Sequence, residues 1–183
     1  MRACRRITNG PALFYVLGPA GMITAHHVKT ASNRHSSDAC DSQITLSYEQ
    51  RFLRRKRLQS DDGEDFLVEL AETVSVNEGD AFILDDKRMI QICAAPEALY
   101  QIHHPNLSKL AWHIGNRHTP CQISDDHLLI QPDHVLHDLL IQLGATITPV
   151  KAAFTPEGGA YGHGRTHGHE HKHQHEHDHD HNE

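Results

Sequence analysis

Nine histidines fall in the last 21 residues: His163, His167, His169, His171, His173, His175, His177, His179 and His181. From His167 to His181 every second residue is histidine. Imidazole is the commonest metal ligand in proteins, and in its neutral form it suits Ni(II), Cu(II) and Zn(II). Glu170, Glu176, Asp178 and Asp180, interleaved with the rings, add oxygen donors. A period of two lines the rings along one side of an extended chain, while a flexible chain wraps several of them around one ion. Many equivalent weak ligands on one tether give a high effective concentration and ready exchange. A carrier or buffer needs that behaviour, and a single fixed catalytic ion does not. The rings gain protons as pH falls from about 7 toward 6, so metal affinity should fall with pH. A purification tag is an unbroken histidine run, whereas this tract alternates with acids and continues out of a Gly158–Gly162 stretch.

One motif match in the tract is set aside. His169-Glu170-His171-Lys172-His173 and His175-Glu176-His177-Asp178-His179 both satisfy H-E-x-x-H. The zinc-protease mechanism needs that motif on a helix beside a substrate cleft. Here no apolar face exists to dock such a helix, and two matches inside one alternating tract are what chance produces.

A second candidate locus lies upstream. Gly115-Asn-Arg-His118 closes a helical pattern and places His118 at a helix-to-strand junction, and Asp133-His134 opens another helix. An isolated histidine is more often a structural hydrogen-bonding group than a ligand, and His113 and His137 read that way. His118 alone does not exceed that expectation. The pairs His26-His27 and His103-His104 lack a spaced partner set and stay unassigned. Cys121 follows His118 by three residues, but its apolar strand favours burial over ligation.

The elements that must hold these residues come from periodicity. Residues 1–40 show no sustained period and are expected to be a mostly disordered extension. Arg2, Arg5 and Arg6 ahead of Pro11–Gly18 look faintly like a signal peptide, but the apolar run is short and interrupted, and Met22 is an alternative start. Over 41–95 short strands are expected, because Ile44, Leu46 and Tyr48, then Phe66, Val68 and Leu70, alternate with polar residues between turn signals such as Asp61-Asp62-Gly63. Residues 96–154 read as strand, helix, strand, strand, helix, strand. Asn106 and Asp133 are the expected helix caps, with Gly115 and Gly144 as stops. Pro149 favours an edge position for the last strand. That order is the ferredoxin-like βαββαβ arrangement, with both helices on one face of a four-stranded sheet and the other face left for other work. About 55 residues is thin for independent stability, so packing on a neighbour or a dimer partner is expected. Residues 155–183 are expected to be a disordered metal-binding tail. The fold class is thus α+β, a small all-β amino-terminal domain before the ferredoxin-like one.

Composition excludes some classes. Against 17 Lys and Arg stand 24 Asp and Glu, a net charge of −7, which argues against a general nucleic-acid binder. No apolar run approaches the roughly 20 residues of a membrane-spanning helix. The four cysteines, Cys4, Cys40, Cys93 and Cys121, do not space as a disulfide framework, and a reducing cytoplasm is expected. Arg51, Arg54, Arg55, Lys56 and Arg57, answered by Asp61, Asp62, Glu64 and Asp65, read as a solvated, salt-bridged strand face. A docking patch for an acidic partner is the alternative.

His113-Ile-Gly-Asn-Arg-His-Thr-Pro-Cys-Gln-Ile123, Ile130-Gln-Pro-Asp-His-Val-Leu-His-Asp-Leu-Leu140 and Phe154-Thr-Pro-Glu-Gly-Gly-Ala-Tyr-Gly162 closely resemble the UreE family of urease accessory proteins, which are nickel metallochaperones. The His-rich tail and Thr45-Leu-Ser-Tyr-Glu-Gln-Arg51 resemble it too, so the likeness covers about 43–183. It implies a homodimer with a peptide-binding-like β domain and a ferredoxin-like metal domain. It also implies that His118 meets its twofold mate around one nickel ion, with tail histidines completing the site and His134 as an additional ligand in some members. Where some members carry a histidine before the aspartate, this chain has Pro132, which puts a second internal site in doubt. The resemblance implies Ni(II) delivery to apo-urease together with an accessory GTPase. Zn(II) or Cu(II) are further ions the donors accept, since Cu(II) outranks Ni(II) at nitrogen sites. The readings from other classes are a general zinc, copper or nickel buffer without a client, and a zinc-dependent hydrolase built on His118, His134 and Asp133. No nucleophile with a positioned base is visible, so binding rather than catalysis is expected.

Overall fold

The computed structural model describes residues 22–35 and 38–158, and the expectations for residues 1–21 and for the histidines from His163 onward lie outside the described residues. Among the described residues ten strands make two sheets, accompanied by two α-helices and two short 3-10 helices. The first contains β1 (Thr24–Lys29), β2 (Ser42–Leu46), β3 (Phe52–Gln59), β4 (Asp65–Ser75), β5 (Ala81–Leu84) and β6 (Met89–Ala94), in the order β2-β6-β5-β1-β4-β3. The alternation that defined β2 and β4 is what buries them: Ile44, Leu46, Phe66, Val68 and Leu70 enter one core with Phe82, Ile90 and Ile92. Gly63 and Gly79 take positive φ in the turns, as does Lys87.

β1 corrects the reading of residues 1–40 as a disordered extension. It sits inside the sheet, parallel to β4 and antiparallel to β5, with Ala25 fully buried. Its own sequence, Thr-Ala-His-His-Val-Lys, alternates poorly because a register shift between Ala25 and His27 leaves both histidines exposed. Such a strand is recruited by its neighbours rather than by its own pattern.

The second sheet contains β7 (Pro96–His103), β8 (Gln122–Ile123), β9 (Leu128–Ile130) and β10 (Thr146–Ala153), in the order β10-β7-β9-β8 and antiparallel throughout. β10, the strand with Pro149, lies at the edge as expected. Helix α1 (Leu107–Gly115) is capped by Asn106, whose side chain accepts from Lys109 N at 3.0 Å. Helix α2 (His134–Gln142) is capped by Asp133, which accepts from Leu136 N at 2.8 Å. Leu110, Ile114, Leu136 and Leu140 pack with Ile102, Leu128 and Ile130 of the sheet into a second core.

The opposite face of this sheet is only partly open. At one end Leu99, Leu129 and Phe154 form a third cluster, against which Tyr48 of the first half packs. Tyr48 and Phe154 meet edge to face at 5.3 Å, and Tyr48 N donates to Glu97 Oε1 at 2.6 Å. Arg51 completes this junction: it is 2 % exposed, lies over the Tyr48 ring at 5.7 Å, and its Nη2 donates to the Phe154 carbonyl. The expected basic face therefore loses Arg51 to the interior. Arg54, Arg55, Lys56 and Arg57 do stand exposed on β3, with Arg55 paired to Glu69 and Arg57 to Asp65. Cys40 and Cys121 hold free thiols. Among the described residues, no helix is long and apolar enough to cross a membrane.

Candidate metal centre

The chain leaves α1 by winding back on it. Asn116 N donates to the Trp112 carbonyl, Arg117 N to that of Ile114, and His118 N to that of Gly115, at 2.9–3.0 Å. Arg117 Nη1 adds a bond to the His113 carbonyl at 2.9 Å, so a cation satisfies the negative end of the helix. Gly115 was the expected left-handed stop, but the left-handed residue is His118 itself, at φ +56°. Histidine is among the residues enriched there, yet a Cβ in that region still costs about 1–2 kcal/mol. His118 is exposed. A strained, exposed histidine held by a wound-down helix end is the kind of outlier that marks a functional position.

Thr119 and Pro120 lead from His118 into β8, and the start of the tail returns beside them. Thr155 N donates to Gln122 Oε1 at 2.8 Å, and Glu157 N donates to the Cys121 carbonyl at 2.9 Å. The two bonds hold Thr155 beside Gln122 and Glu157 beside Cys121, on the segment that follows His118. Residues 155–158, expected to belong to the disordered tail, are thus a bonded root. Gln122 is the residue the sequence reading missed. A lone polar residue in a two-residue strand carries no periodic signal.

His134 is exposed on the first turn of α2, and Asp133 spends a carboxylate oxygen on the cap. Among the described residues no group of three or more histidine, cysteine, aspartate or glutamate side chains gathers to hold an ion. His118, His134 and Asp133 are therefore not brought together, and the three-ligand zinc site of the hydrolase reading is not formed. Cys121 is buried, and burial first, then the charge of Glu157, pushes its thiol up to about 12. It stays protonated at neutral pH. His137 pairs with Asp138 at 3.1 Å and lies against Tyr100, the structural role expected of it.

The described residues thus form a two-sheet α+β protein that offers an exposed histidine beside the root of a histidine-rich tail. Residues 22–95 match the amino-terminal domain, and residues 97–181 the carboxy-terminal domain, of the UreE urease accessory protein. The chain is 60 % identical over 133 residues to the urease accessory protein UreE of Ruegeria pomeroyi, covering 73 % of this chain and 89 % of that protein. It is 52 % identical to the homologous protein of Paracoccus denitrificans, again over 133 residues, covering 85 % of that protein. A third relative, from Chelativorans, is 42 % identical over 137 residues. The chain belongs to the UreE family of urease accessory proteins.

Proposed function

We propose that this protein carries Ni(II) and donates it to apo-urease as the urease metallocentre is assembled. The observation that carries the reading is the tail root, bonded to Gln122 and Cys121 on the segment that follows His118, in a member of a urease accessory family. In this reading the carboxy-terminal half, with strand order β10-β7-β9-β8 and two helices on one face, is a ferredoxin-like metal-binding domain. The amino-terminal sheet is the peptide-binding-like domain. The working unit is a homodimer in the cytoplasm, in which each His118 meets its mate across a twofold axis. Trp112, Ile123, Val135 and Ile141 stand exposed on this half, which supports a surface there that a second copy covers.

Two His118 rings supply two ligands, and Ni(II) takes four to six in common geometries. The tail histidines, His163, His167, His169, His171, His173, His175, His177, His179 and His181, supply the rest and also release it. His134 is an outlying ligand. Partners are the urease apoprotein and its accessory GTPase. Zn(II) and Cu(II) compete for the same nitrogens.

Equilibrium dialysis of Ni(II) against the chain truncated after Gly162, with and without His118→Ala, tests this. One ion per dimer in the truncated protein, lost in the variant, is expected. No binding without the tail would make the tail the only site and overturn the interfacial one.

A further inference from the structure

The helix-free face of the second sheet is covered at one end by Tyr48 and Phe154, and polar at the other. On β7 and β9 the register pairs Tyr100 with Ile130 and Ile102 with Leu128. One further step sets His103 opposite His127, on the face away from the helices. Their ring centres are 5.8 Å apart.

Both rings are oriented by one residue. His103 Nδ1 lies 2.9 Å from the Asp126 backbone carbonyl, and His127 Nδ1 lies 2.6 Å from the Asp126 carboxylate. A carbonyl or carboxylate oxygen only accepts, so each Nδ1 must donate. The lone pair of each neutral ring is then on Nε2. A histidine held by Nδ1–H to a carboxylate or carbonyl, with Nε2 left to coordinate, is the arrangement that supports metal-bound imidazole. Two imidazoles sharing one ion at about 2.1 Å place their ring centres roughly 4.6–6 Å apart, and the observed spacing falls in that range.

We propose that His103 and His127 form a second metal site, which takes a divalent transition ion such as Ni(II) through the two Nε2 atoms. Water fills the remaining positions. With two protein ligands it holds an ion loosely, as a place of transient loading rather than storage. It uses neither His118 nor His134, so it stands whether or not the interfacial site exists.

The test is histidine carbethoxylation by diethyl pyrocarbonate on the full chain, read peptide by peptide by mass spectrometry, with Ni(II) in excess of the tail's capacity. Ni(II) should protect His103 and His127 together, and Mg(II), which prefers oxygen ligands, should protect neither. In His103→Gln the protection of His127 should be lost while that of His118 is unchanged, and His127→Gln should do the reverse to His103. Equal modification with and without Ni(II) in the unaltered protein would overturn the site. So would Ni(II) protection of His127 that survives His103→Gln, because the ion would then be held without His103. An unprotected His118 in the same digest would count against the interfacial site alone.

Discussion

At His118 the backbone conformation and the side chain ask for different residues. The φ of +56° favours glycine, and only the imidazole explains a Cβ there. Comparing two variants that both lack the ring isolates the backbone. His118→Gly should unfold at higher urea than His118→Ala by about 1 kcal/mol, since alanine keeps the Cβ and glycine does not. An alanine variant as stable as the glycine one would mean that the turn relaxes out of the left-handed region. Cys121, three residues on, shows the converse, a donor atom silenced by burial. Its thiol lies far above the range in which thiolate forms at neutral pH.

At the scale of elements, α2 separates a cap from a ligand. Asp133 precedes His134 in the segment that resembles the family, and a carboxylate beside a histidine invites a reading as a metal pair. Its Oδ1 is instead 2.8 Å from Leu136 N, where it completes the first turn. Asp133→Ala should cost about 1 kcal/mol of stability by thermal unfolding, with much of it restored by Asp133→Asn, whose amide oxygen also caps. Nickel stoichiometry by dialysis should be unchanged in Asp133→Asn. A lost ion there would return the carboxylate to the metal site. The β8 hairpin works similarly: two residues of strand suffice because Gln122 binds the tail root as well as β9.

For the whole molecule the decisive contact is between the halves. Arg51 belongs to the first half, and its guanidinium donates to a carbonyl 103 residues away, at the base of the tail. Burying a guanidinium is costly unless its bonds are met, and removing it strands the Phe154 carbonyl. Arg51→Ala should therefore destabilise the protein by about 3 kcal/mol. Amide hydrogen exchange should rise both around Tyr48 and along Phe154–Glu157. Faster exchange around Tyr48 alone would mean that the tail root is held by β8 without help from the first half. The junction also explains how so small a second domain is supported, since it leans on Tyr48 and Arg51 as well as on its own helices.

What local chemistry dictates was legible before any fold was known. The caps at Asn106 and Asp133, the stop at Gly144 with its φ of +87°, the buried alternation of β2 and β4 and the edge strand bearing Pro149 each depend on a few neighbouring residues. Long-range pairing was not legible. β1 has a poor pattern and is a strand because β4 and β5 flank it. Arg51 reads as one more surface cation until Tyr48 and Phe154 close over it. His103 and His127 are 24 residues apart in sequence, and only the β7–β9 register makes them neighbours. Propensity and patterning act over a turn or two of chain, whereas burial and cross-strand pairing depend on partners that arrive from anywhere in it.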